Sequence, residues 1–345
     1  GSRQVQEVGL AALYNTLMHA GEGVVSARQA MAEAGAIEII VEAMQTHASL
    51  LVLERGIAVL HEIVRDDEIA FNKEACHEYG LQQGCGDLRK QHMVDAGAVE
   101  AIIGGLRTHE FSAKLQDEGL AMLCILAGGS DMGEDTGAIV SSDACAQRMA
   151  DAGAIEVIVS SLHSHRHSEE AQVRAIGALC DMSSGSDEGV EGRAQRMAKA
   201  GGIEAIVAVL RASEHSVEVQ EDGFVALCNL SGGSGEGVEA RAQAMVDVGT
   251  VEAVVAGLRA HEHSTEVQER GSAALYNILG GGGINADTDK RLWHGVGVGV
   301  VEVVTAGTHN HAHSAEVQEQ GRAVLRALGG RSTFNHRLAE PDAMW

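Results

Sequence analysis

Seventeen histidines and six cysteines stand among the 345 residues, and several are spaced as metal ligands are. Histidines form H-x-H runs at His163, His165 and His167, at His261 and His263, and at His309, His311 and His313. Two columns underlie these runs: His47, His109, His165, Ser213, His261 and His311, then Phe111, His167, His215, His263 and His313 two residues further on. Imidazole nitrogens bind zinc, copper or nickel, and a structural site needs four preorganised ligands. Histidine near a helix C-terminus also caps terminal carbonyls and suits the helix dipole, which is the preferred reading of the column. A response to pH near the ordinary histidine value of about 6.5 is the further chemistry such a column offers.

Cys76, His77, Cys85 and His92 place four ligand-type residues close together, but the C-x2-C knuckle of zinc sites is missing. An irregular loop or buried thiols is the favoured reading there. Cys124, Cys180 and Cys228 share one helical column and suit packing as small apolar residues. Asn285, Asp287 and Asp289 imitate the start of a calcium loop, yet Lys290 and Val296 stand where that loop needs glycine and glutamate. No G-x-x-x-x-G-K-S/T phosphate loop appears, and no nucleophile, base and orienting acid stand in a recognisable frame. A non-enzymatic chain without metal or cofactor is therefore expected.

These side chains sit on a scaffold with a clear compositional stamp. Apolar residues make up 45% of the chain, aromatics only 3%, and Pro341 is the single proline. Helices packed through Ala, Leu, Val and Ile fit that balance. The 43 glycines point to many turns or close helix contacts. With 25 basic against 49 acidic residues, the formal charge is −24, which repels nucleic acid and anionic lipid and favours basic partners. There is no transmembrane run, and the cysteines show no disulfide spacing, so a reducing, cytoplasmic setting is expected.

Self-similarity organises the chain. The phrase A-G-A-I-E recurs with drift at anchor glycines Gly35, Gly97, Gly153, Gly201, Gly249 and Gly299, spaced 62, 56, 48, 48 and 50 residues apart. From anchor to the glutamine of V-Q-E the gap is 19 residues in five repeats, at Gln116, Gln172, Gln220, Gln268 and Gln318, and repeat one is one residue shorter. Three helices per repeat are predicted. A short first helix carries R-x-Q-x-M, as in Arg193 to Met197. The second starts at the anchor with a glutamate (Glu38, Glu100, Glu156, Glu204, Glu252, Glu302) where the helix dipole favours an anion. Its stripe Ile203, Ile206, Val207 and Leu210 has helical spacing. The third begins after the N-cap serines Ser168, Ser216, Ser264 and Ser314 and carries a mid-helix glycine suited to close helix approach. Residues 65–87 read as an inserted loop between repeats one and two, and 330–345 as a tail.

The wording S-x-E-V-Q-E-x-G-x-x-A-L-x-N-L followed by A-G-x-I-E, best seen in residues 216–230 and 264–278, resembles the armadillo repeat. It is similar to the repeats of long armadillo proteins of algae and protists. The resemblance covers residues 3–329 and implies an all-α, right-handed α-solenoid of about six three-helix repeats plus a leading third helix. It also implies a non-enzymatic protein-binding scaffold whose third helices line a concave groove. In peptide-binding armadillo proteins asparagines and tryptophans line that groove. The matching asparagine column here reads Asn15, Glu62, Ile125, Asp181, Asn229, Asn277 and Ala327, and the tryptophan column holds only small residues and Val225. An import-receptor-like groove is thus not expected. The candidate partner-binding residues are Asn15, Glu62, Asp181, Asn229 and Asn277 with Tyr14 and Tyr276, for an extended or basic segment of a protein partner. Two alternatives stay open: the asparagines tie repeat to repeat, or the chain is a structural segment of a larger or cytoskeletal protein that associates through its ends and edges, including with itself.

Overall fold

The computed structural model describes residues 2–65, 85–127, 142–185, 189–233, 237–280 and 286–329. The cysteine–histidine cluster at 76–77, the tail, and most of the glycine-rich loops lie outside them. Among the described residues all regular structure is helical, with no strand.

The chain divides into two compact units, Gly1–Asp187 and Glu188–Trp345. The first opens with α1 (Arg3–Met18) and continues with three repeats: α2 (Val24–Glu33), α3 (Ala36–Thr46) and α4 (Leu50–Val64); α5 (Cys85–Asp95), α6 (Ala98–Thr108) and α7 (Ala113–Ala127); α8 (Ser142–Ala152), α9 (Ala154–Ser164) and α10 (Glu169–Ser183). The second holds α11 (Gly189–Lys199), α12 (Gly202–Ala212) and α13 (Val217–Ser231); α14 (Gly237–Val248), α15 (Thr250–Ala260) and α16 (Thr265–Leu279); α17 (Ala286–Val298), α18 (Val300–Asn310) and α19 (Ala315–Gly329). Within each unit third helices pack on third helices and second on second, so each is a stretch of α-solenoid with the armadillo-like three-helix layout. The first helices run 10 to 13 residues, longer than the R-x-Q-x-M core, because α11 and α14 already begin at Gly189 and Gly237 within the loop sequence.

Every anchor glycine is left-handed, with φ between 79° and 94°. Each ends a first helix in a tight turn, as where the Gly201 N–H donates to the Ala198 carbonyl, and starts the second helix at the next residue. Few residues except glycine take this conformation cheaply. The mid-helix glycines of the third helices answer a different need. A Cβ at Gly271 would lie 2.7 Å from Leu258 Cδ2, and one at Gly119 2.6 Å from Leu106 Cδ2. Second and third helices of one repeat therefore meet at these glycines. Ala175 fills the position in repeat three and is fully buried.

Serine caps are as general as the sequence suggests, and more so. Ser168, Ser264 and Ser314 accept the backbone N–H three residues on, and Ser2, Ser49 and Ser112 do likewise. Ser216 occupies the cap position without that bond. The apolar stripes close the core: Ile203, Ile206, Val207 and Leu210 of α12 are buried, as are Val219, Phe224 and Leu227 of the α13 helix packed on it. Replacing Gly201 with alanine forces a left-handed alanine in an otherwise open site, so urea unfolding is expected to show a loss of about 1–2 kcal/mol.

Candidate protein-binding face

On each third helix one stripe stays accessible. In α13 it runs Glu221, Val225, Cys228, Asn229; in α16 Glu269, Ala273, Tyr276, Asn277; in α19 Glu319, Ala323, Arg326, Ala327. Offsets of 4, 7 and 8 put each set on one helix face. Because α13 packs on α16 and α16 on α19, the stripes lie side by side, roughly 8–10 Å apart. Small residues form the middle column and carboxylates one flank. Glu221, Glu269 and Glu319 have no hydrogen-bond or ion-pair partner among the described residues. Beside them Arg270 approaches Asp222 at 4.0 Å. Burial pushes the Asp222 carboxyl up, and Arg270 opposes this. A shallow groove of about 600 Å³ along α19 is lined by Glu319, Arg322, Ala323 and Arg326 among others.

The same face in the first unit is charge-balanced. Lys114 pairs with Glu54 at 3.0 Å and Arg174 with Asp117 at 2.7 Å, each bridging successive third helices. Arg55 donates to the Glu7 carbonyl at 2.7 Å. Glu118 stands 3.8 Å from Lys114, and burial pushes its carboxyl up.

The asparagine column is less uniform than its sequence positions suggest. Asn15 is exposed on α1 next to half-buried Tyr14, and Asp181, Asn229 and Tyr276 are half-buried on α10, α13 and α16. Glu62 is buried and holds Arg28 Nη2 at 3.1 Å and Arg65 Nη1 at 3.5 Å. Asn277 Nδ2 donates to both the carbonyl and the thiol sulfur of Cys228 at 3.2 Å, so this amide ties α16 to α13. Burial pushes the Cys228 thiol up, and the Asn277 hydrogen bond opposes it.

The histidine column makes contacts between repeats. Nε2 of His109, His165, His261 and His311 bonds the carbonyls of Ala48, Glu110, Glu214 and Glu262, each in the turn of the preceding repeat, at 2.8–2.9 Å. Among the described residues no three His, Cys, Asp or Glu side chains group as metal ligands do. His92 of the cysteine–histidine run is bonded to Glu38 at 2.7 Å, and Asp287 of the calcium-like run to Lys290 at 2.8 Å. The V-Q-E glutamines clamp their own repeat: Gln220 Nε2 donates to the Leu210 and Ser213 carbonyls at 2.8 and 3.2 Å, and Gln116, Gln268 and Gln318 repeat the pattern. Gln172 of repeat three stands at the same spacing and donates instead to the Arg166 carbonyl in the turn, at 2.6 Å.

A set of buried arginines on the first helices, Arg28, Arg89, Arg193, Arg241 and Arg291, was not singled out in the sequence, although R-x-Q-x-M contains Arg89, Arg193 and Arg241. Arg241 Nε donates to the Leu230 carbonyl at the end of α13, and its fork holds Glu191 of the preceding repeat at 2.6 and 2.9 Å. Arg291 reaches Glu239 of the preceding repeat through Nη2 alone, at 2.6 Å. In repeat three Cys145 takes the position, and its thiol meets the Leu126 carbonyl at 2.6 Å. Burial pushes that thiol up to about 11, which keeps it protonated.

The Arg241 hydrogen bond is the main influence holding the Glu191 carboxyl below its ordinary 4.5. That contribution is present above the ordinary carboxylate value and is lost as pH falls through the lowered one. Arg241→Met should therefore cost about 1–3 kcal/mol in urea unfolding at neutral pH. The difference from wild type should narrow in acid.

No protein-family model matches the chain, and no curated protein matches it. Among solved structures, a chain from work on a phosphorylation switch controlling the interaction between cadherin and beta-catenin is 13% identical, over 95% of this chain and 72% of that one, with a TM-score of 0.38. At that identity and score the match identifies no family.

Proposed function

We propose that the chain is a non-enzymatic protein–protein interaction scaffold, and that the third-helix face of its second unit holds a basic, extended partner segment. The observation that carries this is the row of unpaired carboxylates Glu221, Glu269 and Glu319, one per repeat, beside a trough of small side chains. An extended chain in the polyproline-II form advances about 3.1 Å per residue with three residues per turn, so basic side chains at every third residue share one face and keep step with repeats about 10 Å apart. Asn229 and Tyr276 lie on the same stripe and are the residues proposed to meet the segment's backbone. In the first unit Asn15, Tyr14 and Asp181 occupy matching positions, but cations of the chain itself already neutralise the neighbouring acids. That difference is why the second unit is favoured.

The strong net negative charge supports a basic partner through long-range steering. Among the described residues no helix is long and apolar enough to cross a membrane. A second reading, association through a helical face, has one observation behind it: Val5, Val8 and Met18 of α1 are 67%, 63% and 51% exposed. Sedimentation that stays monomeric at high protein concentration would remove self-association from that reading.

The scaffold reading is tested with a labelled peptide bearing lysine at every third residue. The triple variant Glu221→Gln, Glu269→Gln, Glu319→Gln should weaken its binding about tenfold at low salt, from exposed charge contacts of about 0.5 kcal/mol each. Equal affinity for the variant and wild type would move the partner off this face. Asn229→Ala should weaken binding further if the asparagine holds the peptide backbone.

A further inference from the structure

α1 carries the wording of a third helix: Val5, Gln6, Gly9, Ala12 and Thr16 stand in the places of Val267, Gln268, Gly271, Ala274 and Ile278 of α16. One of its faces is filled. Leu10 and Leu17 are buried, α1 packs on α4, and Arg55 holds the Glu7 carbonyl. The face that other third helices turn to the second helix of their own repeat is bare. Val5 is 67% exposed, and Gly9, Ala12 and Thr16 are exposed with it. Their counterparts Val267, Gly271, Ala274 and Ile278 are all buried.

The other repeats show what such a face receives. In four of them a leucine or methionine of the second helix covers the mid-helix glycine: Met44 at Gly56, Leu106 at Gly119, Leu210 at Gly223 and Leu258 at Gly271. Each lies 2.6–2.7 Å from where a Cβ on that glycine would stand. In three of the four the carbonyl of the same leucine accepts the Nε2–H of the clamp glutamine, at 2.7–2.9 Å. One side chain and its own carbonyl thus fill two adjoining receptors. On α1 both receptors are open. A Cβ on Gly9 would meet nothing within 4 Å, and Gln6 Nε2 has no hydrogen-bond partner among the described residues.

We infer that this face of α1 binds an amphipathic helix supplied by a partner chain, with the chemistry of the second helices of this array. Those helices run eleven residues and carry an apolar stripe at i, i+3, i+4 and i+7, as in Ile203, Ile206, Val207 and Leu210. The last residue of the stripe, leucine or methionine, seats on Gly9 and presents its carbonyl to Gln6. Covering Val5 and Ala12 supplies the apolar burial that drives docking. α1 is already held on α4 and capped by Ser2, so the receiving helix is formed before the partner arrives. The site lies in the first unit and shares no residue with the carboxylate row of the second, so the two readings stand or fall separately.

The probe is a fluorescent peptide of residues 201–213, the second helix of repeat four. Short helices are marginal alone, so the peptide carries Ala208→Lys bridged by a lactam to Glu204, both positions being exposed in the array. Fluorescence anisotropy with the full chain should show saturable binding. Gly9→Leu fills the receptor and should weaken binding at least about tenfold. That variant should unfold at no lower temperature than wild type, because the added side chain starts in open space on a helix. Gln6→Ala should weaken binding about fivefold through one lost hydrogen bond. Leu210→Ala in the peptide should weaken it at least about tenfold. No binding by wild type, or equal binding by wild type and Gly9→Leu, overturns the proposal. Dimerisation of wild type that Gly9→Leu removes would put a second copy on this face and overturns the partner helix.

Discussion

Each repeat depends on one left-handed backbone turn at its anchor glycine. That turn ends the first helix, begins the second within one residue, and so fixes the angle between them. Everything downstream is measured from it. The second helix runs eleven residues in every repeat; in four of them its end is clamped by a glutamine of the third helix, and in all but repeat three, where Ala175 stands, the third helix meets the second at a glycine. Between repeats the sequence between anchors varies in length, but inside this frame almost nothing does.

The joints between repeats are built differently from the repeats themselves. Apolar stripes supply burial, but slippery stripes alone leave the register of one repeat on the next weakly specified. Here the polar contacts supply the register: loop histidines to backbone carbonyls, first-helix cations to second-helix glutamates, buried arginine forks to the carboxylates of the preceding first helix. Each is directional, and each joins a fixed column to a fixed column. On the third helices a further set of ion pairs crosses the joints of the first unit and is largely absent from the second. One unit has spent its third-helix charges on itself and the other has kept them.

The repeat frame was legible in the sequence because period, anchor phrase and cap serines are all local patterns. Ser168 and Ser264 cap as read, and the anchor glutamates begin their helices as read. The partners of the polar columns were not legible, because periodicity shows that His109 and His165 share a column but not which atom of the neighbouring repeat faces it. The same limit applies to Arg241: as part of R-x-Q-x-M it looks like a surface charge, and only packing reveals it as buried at the end of another helix. Asn277 and Glu62 carry the column expected of a partner site, yet both are engaged within the fold, since an amide and a carboxylate serve neighbouring helices as readily as a ligand. Glu221, Glu269 and Glu319 were visible only as part of V-Q-E; their lack of partners is a property of the packed face.

Cys145 stands where the other full repeats carry a buried arginine. A neutral thiol and one hydrogen bond hold the end of α7 there, instead of a cation that also reaches back one repeat. The same joint is also crossed by Arg148 to Glu100, Arg174 to Asp117 and His165 to the Glu110 carbonyl. In a linear array, where each element feels only its neighbours, what matters at a joint is the sum of its contacts. The exchange of arginine for cysteine therefore exposes a redundancy: a joint with several directional bonds keeps its register when one of them is replaced by a weaker kind.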